Sequence, residues 1–258
     1  MEERLIFDTH AHFDSTDFDE DRDALLSDLP RRGVCAVINN GADMASSRAS
    51  IALAEKYDYF YVAAGVHPEA AGGFTERDPE EIARLLQHPK CVALGEIGLD
   101  YHYEDACPRD VQQKVFETQL RLAKELDVPV IIHDREAHGD TMDLLRKYRP
   151  KGTMHCFSGS VEMAMELVKL GIHIGLGGVV TFKNARHSVE VAKAIPLESL
   201  LLETDAPYMT PVPYRGKRCD SSMIVYTAAK IAEVRDMALR DVLLATKENA
   251  QRVYNIQL

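Results

Sequence analysis

The first residues able to do chemistry come early. Asp8, His10, His12 and Asp14 recur at every second position in RLIFDTHAHFD. Side chains two apart in a strand leave it on the same side, so this spacing aims four proton- or metal-binding groups roughly one way. A lone His-x-His also suits a solvated surface or buried hydrogen bonds, and imidazole is equally a common metal ligand. More residues of these types close apolar runs further along: His67 in GVHP, Glu96 in GEIGLD, His133 in IIHD, His155 in MHCF and Asp205 in LLETDAP. A bare carboxylate at Glu96, between Gly95 and Ile97, is costly to bury without a cation or hydrogen-bond partners. His88, His102, His138, His173 and His187 lack this placement and suit surface or supporting roles.

Imidazole and carboxylate together suit Zn²⁺, Mn²⁺ or Mg²⁺. His10, His12, Glu96, His133, His155 and Asp205 outnumber the ligands of one tetrahedral site. Two divalent ions sharing a carboxylate, with Glu96 as the bridge, are the economical arrangement. Such a pair, about 3.5–4 Å apart, activates a water and stabilises the oxygens of an in-line displacement. No Ser or Cys stands in a recognisable triad setting, which leaves activated water as the expected nucleophile.

The elements that must position these groups are legible as eight apolar, β-rich runs: LIFDTH, VCAVINN, YFYVAAGVH, CVALGEIGL, VPVIIH, TMHCF, IHIGLGG and LLLETDAP. Segments of helical spacing separate them. DPEEIARLLQHP predicts a helix capped by Asp78, with Pro79 in its first turn and Glu81 completing a capping box. CPRDVQQKVFETQLRLAKELD carries Val111, Val115, Phe116, Leu120 and Leu122 near helix period, and SVEMAMELVKLG starts at a Ser and stops at Gly171. Eight strands alternating with helices predict an α/β fold, a (β/α)₈ TIM barrel; an open doubly wound sheet is the other eight-strand solution. No linker or shift of composition divides the chain, so residues 1–258 read as a single domain. In a barrel the strand ends converge on one face, which brings five His and two carboxylates to one mouth.

The bulk numbers narrow the setting. The chain has 258 residues, 46% hydrophobic and 28% charged, enough apolar material for a large core. No run of about 18 apolar residues predicts a membrane span, and MEERLIFD lacks the basic-then-apolar pattern of a signal peptide. Five scattered cysteines without a Cys-x-x-Cys pair predict reduced thiols and a cytoplasmic location. The formal charge of −11 advertises no basic face for holding nucleic acid by phosphate neutralisation alone. Metal ions and a few local Arg and Lys residues must supply any such attraction.

DTHAHFD, GVHPE, LGEIGLDY, VPVIIHDREA, HCFSGS, GGVVTFKNA and LLETDAPYMTPVPYRGKR resemble, in order, the signatures of the TatD-type metal-dependent deoxyribonucleases, which are amidohydrolase-like TIM barrels. KENAQRVY is similar to the family's closing helix. The resemblance implies that His10 and His12, with Glu96 and Asp205, hold one metal, and that Glu96 with His133 and His155 holds the other. It implies catalytic roles for Glu96 and Asp205, Asp205 orienting or deprotonating the attacking water. The implied activity is phosphodiester hydrolysis on single-stranded DNA or DNA ends, trimming from the 3′ end, with DNA as the partner and no membrane or obligate protein partner. Substrate contacts are expected at His67, Arg135, Lys183 and Arg215, and at Tyr208, whose ring could stack on a base. The loop PYRGKR adds Lys217 and Arg218 as cations near the mouth.

Three positions depart from the family pattern. Cys219-Asp220-Ser221-Ser222 stands where relatives commonly have Asn-Glu-Pro, Glu69 replaces a frequent second His, and Asp134 a usual Ser or Thr. They leave every expected metal ligand in place, but two alter loops around the mouth and add negative charge, which bears on substrate preference. With the acidic net charge they keep a second reading open, a metal-dependent esterase, amidase or aminoacyl-tRNA deacylase. A non-enzymatic binding barrel is a third, opposed by the intact ligand set.

Overall fold

The computed structural model describes residues 3–103 and 106–258; Met1 and Glu2, part of the N-terminal reading, lie outside them. Every apolar run forms a strand: β1 Ile6–Ala11, β2 Val34–Asn40, β3 Phe60–Ala64, β4 Cys91–Asp100, β5 Val130–Arg135, β6 Gly152–Met154, β7 Ile172–Leu176 and β8 Leu200–Leu202. All pair in parallel and in chain order. Representative registers are Ile38 opposite Tyr61, Ile132 opposite Met154 and Leu176 opposite Leu202. The ring closes where Ala11 bridges Ala206, the His12 N–H donates to the Ala206 carbonyl at 2.7 Å, and the Asp205 N–H donates to the His10 carbonyl at 2.9 Å. The expected (β/α)₈ barrel is the observed fold. Its strands are buried on both faces, by barrel interior and helix layer, which explains why they read as continuous apolar runs.

The helices are α1 Arg22–Asp28, α2 Met44–Ala54, α3 Asp78–Leu85, α4 Arg109–Leu126, α5 His138–Tyr148, α6 Val161–Leu170, α7 Arg186–Ala194, α8 Ile224–Arg235 and α9 Leu239–Tyr254. α6 starts and stops as its sequence predicts: Ser160 Oγ accepts from the Met163 N–H, and Gly171 ends it with φ of 92°. The start of α3 differs. Asp78 is its first helical residue, not its cap, because the carboxylate turns back to accept from the Thr75 N–H at 2.7 Å and hydroxyl at 3.0 Å. Glu81 pairs instead with Arg48 of α2, so no capping box forms there. α2 holds one, between Asp43 and Ser46. Among the described residues no helix is long and apolar enough to cross a membrane.

Four strands, β3, β6, β7 and β8, end sooner than their apolar runs. β6 and β8 stop at Met154 and Leu202, and the chain then turns sharply, with positive φ at Cys156 (43°) and Asp205 (61°). His155 and Asp205 therefore stand on the rim just beyond their strands. At β4 the fit to β5 demands glycine: Gly98 has φ of 150°, and a Cβ there would lie 1.9 Å from the His133 carbonyl oxygen. That close approach fixes His133 against the strand that carries Glu96.

Candidate metal centre

Glu96 lies at the middle of the mouth and is 3% exposed. Its two carboxylate oxygens face different groups. Oε2 is 3.2 Å from His10 Nε2 and 3.6 Å from His12 Nε2, and the same two nitrogens lie 3.7 and 3.4 Å from Asp205 Oδ1. Oε1 is 2.9 Å from both His133 Nδ1 and His155 Nε2, and 3.7 Å from His67 Nε2. Strand alternation sets this up in β1, where His10 and Ala11 leave on opposite sides while His12 returns to the His10 side.

Three combinations bring ligand atoms within 4.8 Å of one another: His10, His12 and Glu96; His10, His155 and Asp205; and His67, Glu96 and His133. All six expected ligands therefore meet at one place, and His67 joins them. His155 is shared more evenly than the sequence implied. Its ring stacks on that of His10, centroids 3.8 Å apart, while its Nε2 faces Glu96.

The surrounding groups decide which imidazole nitrogen is free. His12 Nδ1 donates to the Asn40 carbonyl at 2.9 Å, which turns the Nε2 lone pair toward Glu96 and Asp205. His133 Nε2 meets Asp100 Oδ2 at 3.0 Å, so its Nδ1 lone pair faces Glu96. A lone pair against a carboxylate oxygen at 2.9 Å needs a proton or a cation. Carboxylates and carbonyls behind ligating imidazoles are the usual orienting partners of metal sites. This donor set fits divalent cations.

The carboxylates and imidazoles of this cluster shift one another's titration. Burial opposes ionisation of Glu96, but His155, His10 and His67 outweigh it and hold the carboxyl well below its usual value. Burial likewise works against Asp205, yet the hydrogen bond from His12 and the charges of His155 and His10 hold it down. Burial disfavours the charged form of His133 and His12; Asp100 and Glu96 lift the first to about 9, and Asp205 with Glu96 lifts the second to about 9. Burial dominates at His67, which is lowered to about 3.

Two carboxylates escaped the sequence reading. Asp100 follows Glu96 by four residues on the same strand, and that even spacing was its available signal. Glu203, two before Asp205, is 1% exposed; its Oε1 accepts the Cys156 N–H and lies 3.6 Å from His155 Nδ1. Gly175 makes room for it, since a Cβ there would lie 2.3 Å from Glu203 Oε2. Asp8 is also internal: its carboxylate accepts from the hydroxyls of Thr204 and Ser221, both at 2.6 Å, and burial raises it to about 7 against those bonds. Asp14 accepts from Asn39 Nδ2. Both stay behind the ligands.

The expected substrate contacts ring the mouth. His67 caps the turn Pro68–Gly73, where its Nδ1 accepts the Glu69 N–H. The Arg135 guanidinium lies over the Tyr103 ring, 5.1 Å from its centroid. Arg215 stacks on Phe182 at 3.8 Å, and Lys183 is exposed beside it in sequence. Tyr208 is 54% exposed. Arg218 is committed elsewhere, to the Asp21 carboxylate and the Asp17 carbonyl, each at 2.7 Å. Two of the acidic departures turn inward: Asp134 holds His138 of α5 at 2.7 Å, and Asp220 pairs with Arg32 at 3.2 Å. Only Glu69 is exposed.

The profile of the TatD related DNases matches residues 7–255. The chain is 41% identical over 255 residues to the uncharacterized metal-dependent hydrolase YabD of Bacillus subtilis, covering 98% of this chain and 100% of that one. It is 32% identical over 260 residues to the 3′-5′ ssDNA/RNA exonuclease TatD of Musicola paradisiaca, covering 97% and 98%. The crystal structure of YjjV, a TatD homologue from Escherichia coli K12, superposes with a TM-score of 0.93 at 33% identity, covering 98% and 99%. The chain belongs to the TatD family of metal-dependent hydrolases.

Proposed function

We propose that the protein is a metal-dependent phosphodiesterase acting on single-stranded DNA or DNA ends, with 3′-to-5′ polarity. One observation carries the reading: the two oxygens of Glu96 face different imidazoles, Oε2 those of His10 and His12 and Oε1 those of His133 and His155. In this reading His10, His12, Glu96 and Asp205 would hold one divalent ion, and Glu96, His133 and His155 the other. Two such ions, Zn²⁺, Mn²⁺ or Mg²⁺, would supply a lowered water pKa and neutralisation of the phosphoryl oxygens in displacement.

The chain's own residues do the rest. Asp205, held ionised on the rim, accepts the proton of the attacking water. Asp100 and the Asn40 carbonyl keep His133 and His12 in the tautomers that offer lone pairs inward. Water adds to phosphorus, the phosphodiester P–O bond breaks, and the products are a phosphomonoester and an alcohol. Arg215, Lys183, Arg135 and His67 contact phosphate, and Tyr208 contacts a base. The relative from Musicola paradisiaca, named for single-stranded DNA and RNA, supports substrate class and polarity. Five free cysteines support a cytoplasmic setting.

The acidic net charge of −11 favours a second reading, an esterase, amidase or aminoacyl-tRNA deacylase using the same water. Chelated protein reloaded with Mg²⁺, Mn²⁺ or Zn²⁺ and offered end-labelled single-stranded DNA beside a p-nitrophenyl ester separates the two. Metal-dependent shortening from the 3′ end is expected. Ester turnover without DNA cleavage transfers the assignment to the second reading, and inactivity without bound metal to a binding barrel.

A further inference from the structure

Large apolar side chains are exposed at six places among the described residues, and four of them stand on two loops at the barrel mouth: Tyr103 after β4, and Tyr208, Met209 and Val212 after β8. Strands β4 and β8 are four places apart in a ring of eight, so Tyr103 and Tyr208 follow strands on opposite sides of it. Glu96 lies within β4 and Asp205 just beyond β8. The reacting centre therefore lies between two exposed aromatic rings, each about half accessible, Tyr103 at 47% and Tyr208 at 54%.

Both rings stand beside fixed cations. Arg135 lies over Tyr103 and donates from Nη1 to its hydroxyl at 3.3 Å. Tyr208 and Met209 line a groove with Arg215 and Lys217, whose cationic groups are steadied on Phe182 and Tyr214. Asp17 and Arg218 border that groove too, Arg218 donating to the Asp17 backbone carbonyl and the Asp21 carboxylate. An exposed ring costs solvation unless something flat covers it, and a neighbouring guanidinium suits a phosphate. A chain of alternating planar groups and phosphates matches both needs.

Resting on the phosphodiesterase reading, we propose that a single-stranded polynucleotide lies across the mouth from the β8 loop to the β4 loop, with one base stacked on Tyr208 and a base on the other side of the cleaved bond stacked on Tyr103. The substrate is thus required to carry a base on each side of the reacting phosphate. Stacking, which is indifferent to net charge, offsets the acidity of the protein.

Equilibrium binding tests this without turnover. Fluorescent phosphorothioate dT8, which resists cleavage, and an eight-unit abasic phosphorothioate chain of the same charge are titrated against metal-loaded wild-type protein, Tyr103→Ala, Tyr208→Ala and the corresponding Phe variants. Each Ala variant is expected to weaken dT8 binding by about 5- to 150-fold, the usual loss for one stacked base, with abasic affinity unchanged and Phe restoring dT8. An equal loss for both chains overturns the proposal in favour of a purely structural or electrostatic role. So does unchanged dT8 binding by either Ala variant. If wild-type protein cleaves unmodified dT8 while the Ala variants bind the phosphorothioate normally, only the stacking inference falls. If metal-loaded wild-type protein neither binds the phosphorothioate nor cleaves unmodified dT8, the phosphodiesterase reading falls with it.

Discussion

Asp100 and His133 form a pair at the edge of the candidate metal centre: Asp100 Oδ2 meets His133 Nε2 at 3.0 Å, and the opposite ring nitrogen faces Glu96 at 2.9 Å. The carboxylate sets which nitrogen of the ring is free for an ion. Asp100→Asn is expected to weaken metal binding by about 10- to 100-fold, the usual effect of removing such an orienting partner. A metal titration followed by calorimetry reads this directly. Unchanged affinity would show that His133 is oriented by β5 alone.

Glu96→Gln removes one negative charge from the point where both sets of imidazoles meet. Elemental analysis after dialysis is expected to find fewer ions per chain, and turnover should fall about 10²- to 10⁴-fold, corresponding to several kcal/mol of lost transition-state stabilisation. Full occupancy with normal turnover would rule out the bridge.

Gly175 tests the support beneath His155. The methyl group of Gly175→Ala would lie 2.3 Å from Glu203 Oε2, so either Glu203 or β7 must shift. A stability loss of about 1–3 kcal/mol is expected, with turnover falling as His155 loses its neighbour. Gly139 of α5 is the matched control, because its Cβ would meet nothing within 4 Å. Gly139→Ala should stabilise by about 0.4–1 kcal/mol or leave stability unchanged. Urea denaturation of both variants decides; similar curves would refute the crowding at Gly175.

Arg215 and Arg218 are neighbours in sequence with different duties. Arg215 is stacked on Phe182 with one backbone hydrogen bond, while Arg218 is tied to Asp21. Arg215→Ala should weaken binding of single-stranded DNA and reduce the slope of log affinity against log salt by about 1, with metal content unchanged. Arg218→Ala should leave that slope in place. Equal slopes for Arg215→Ala and wild type would remove Arg215 from the phosphate contacts.

Much of this molecule is written locally. Eight apolar runs suffice for the barrel because strands buried on both faces tolerate little else, and each polar residue closing such a run marks a rim position. His10, His12, Glu96, His133, His155 and Asp205 could be named from that rule. The sequence also contained Asp100 two and four places from Gly98 and Glu96, but a carboxylate near a strand end does not announce its partner. Tertiary structure decided that Asp100 orients His133, that Glu203 sits under His155 in space left by Gly175, and that His67 reaches the cluster. It also decided that Asp78 turns back to Thr75, since a cap depends on which donor the preceding turn presents. The candidate ligands follow from residue type and period, which are local; which oxygen meets which nitrogen depends on contacts between residues far apart in the chain, which the closing of the barrel alone creates.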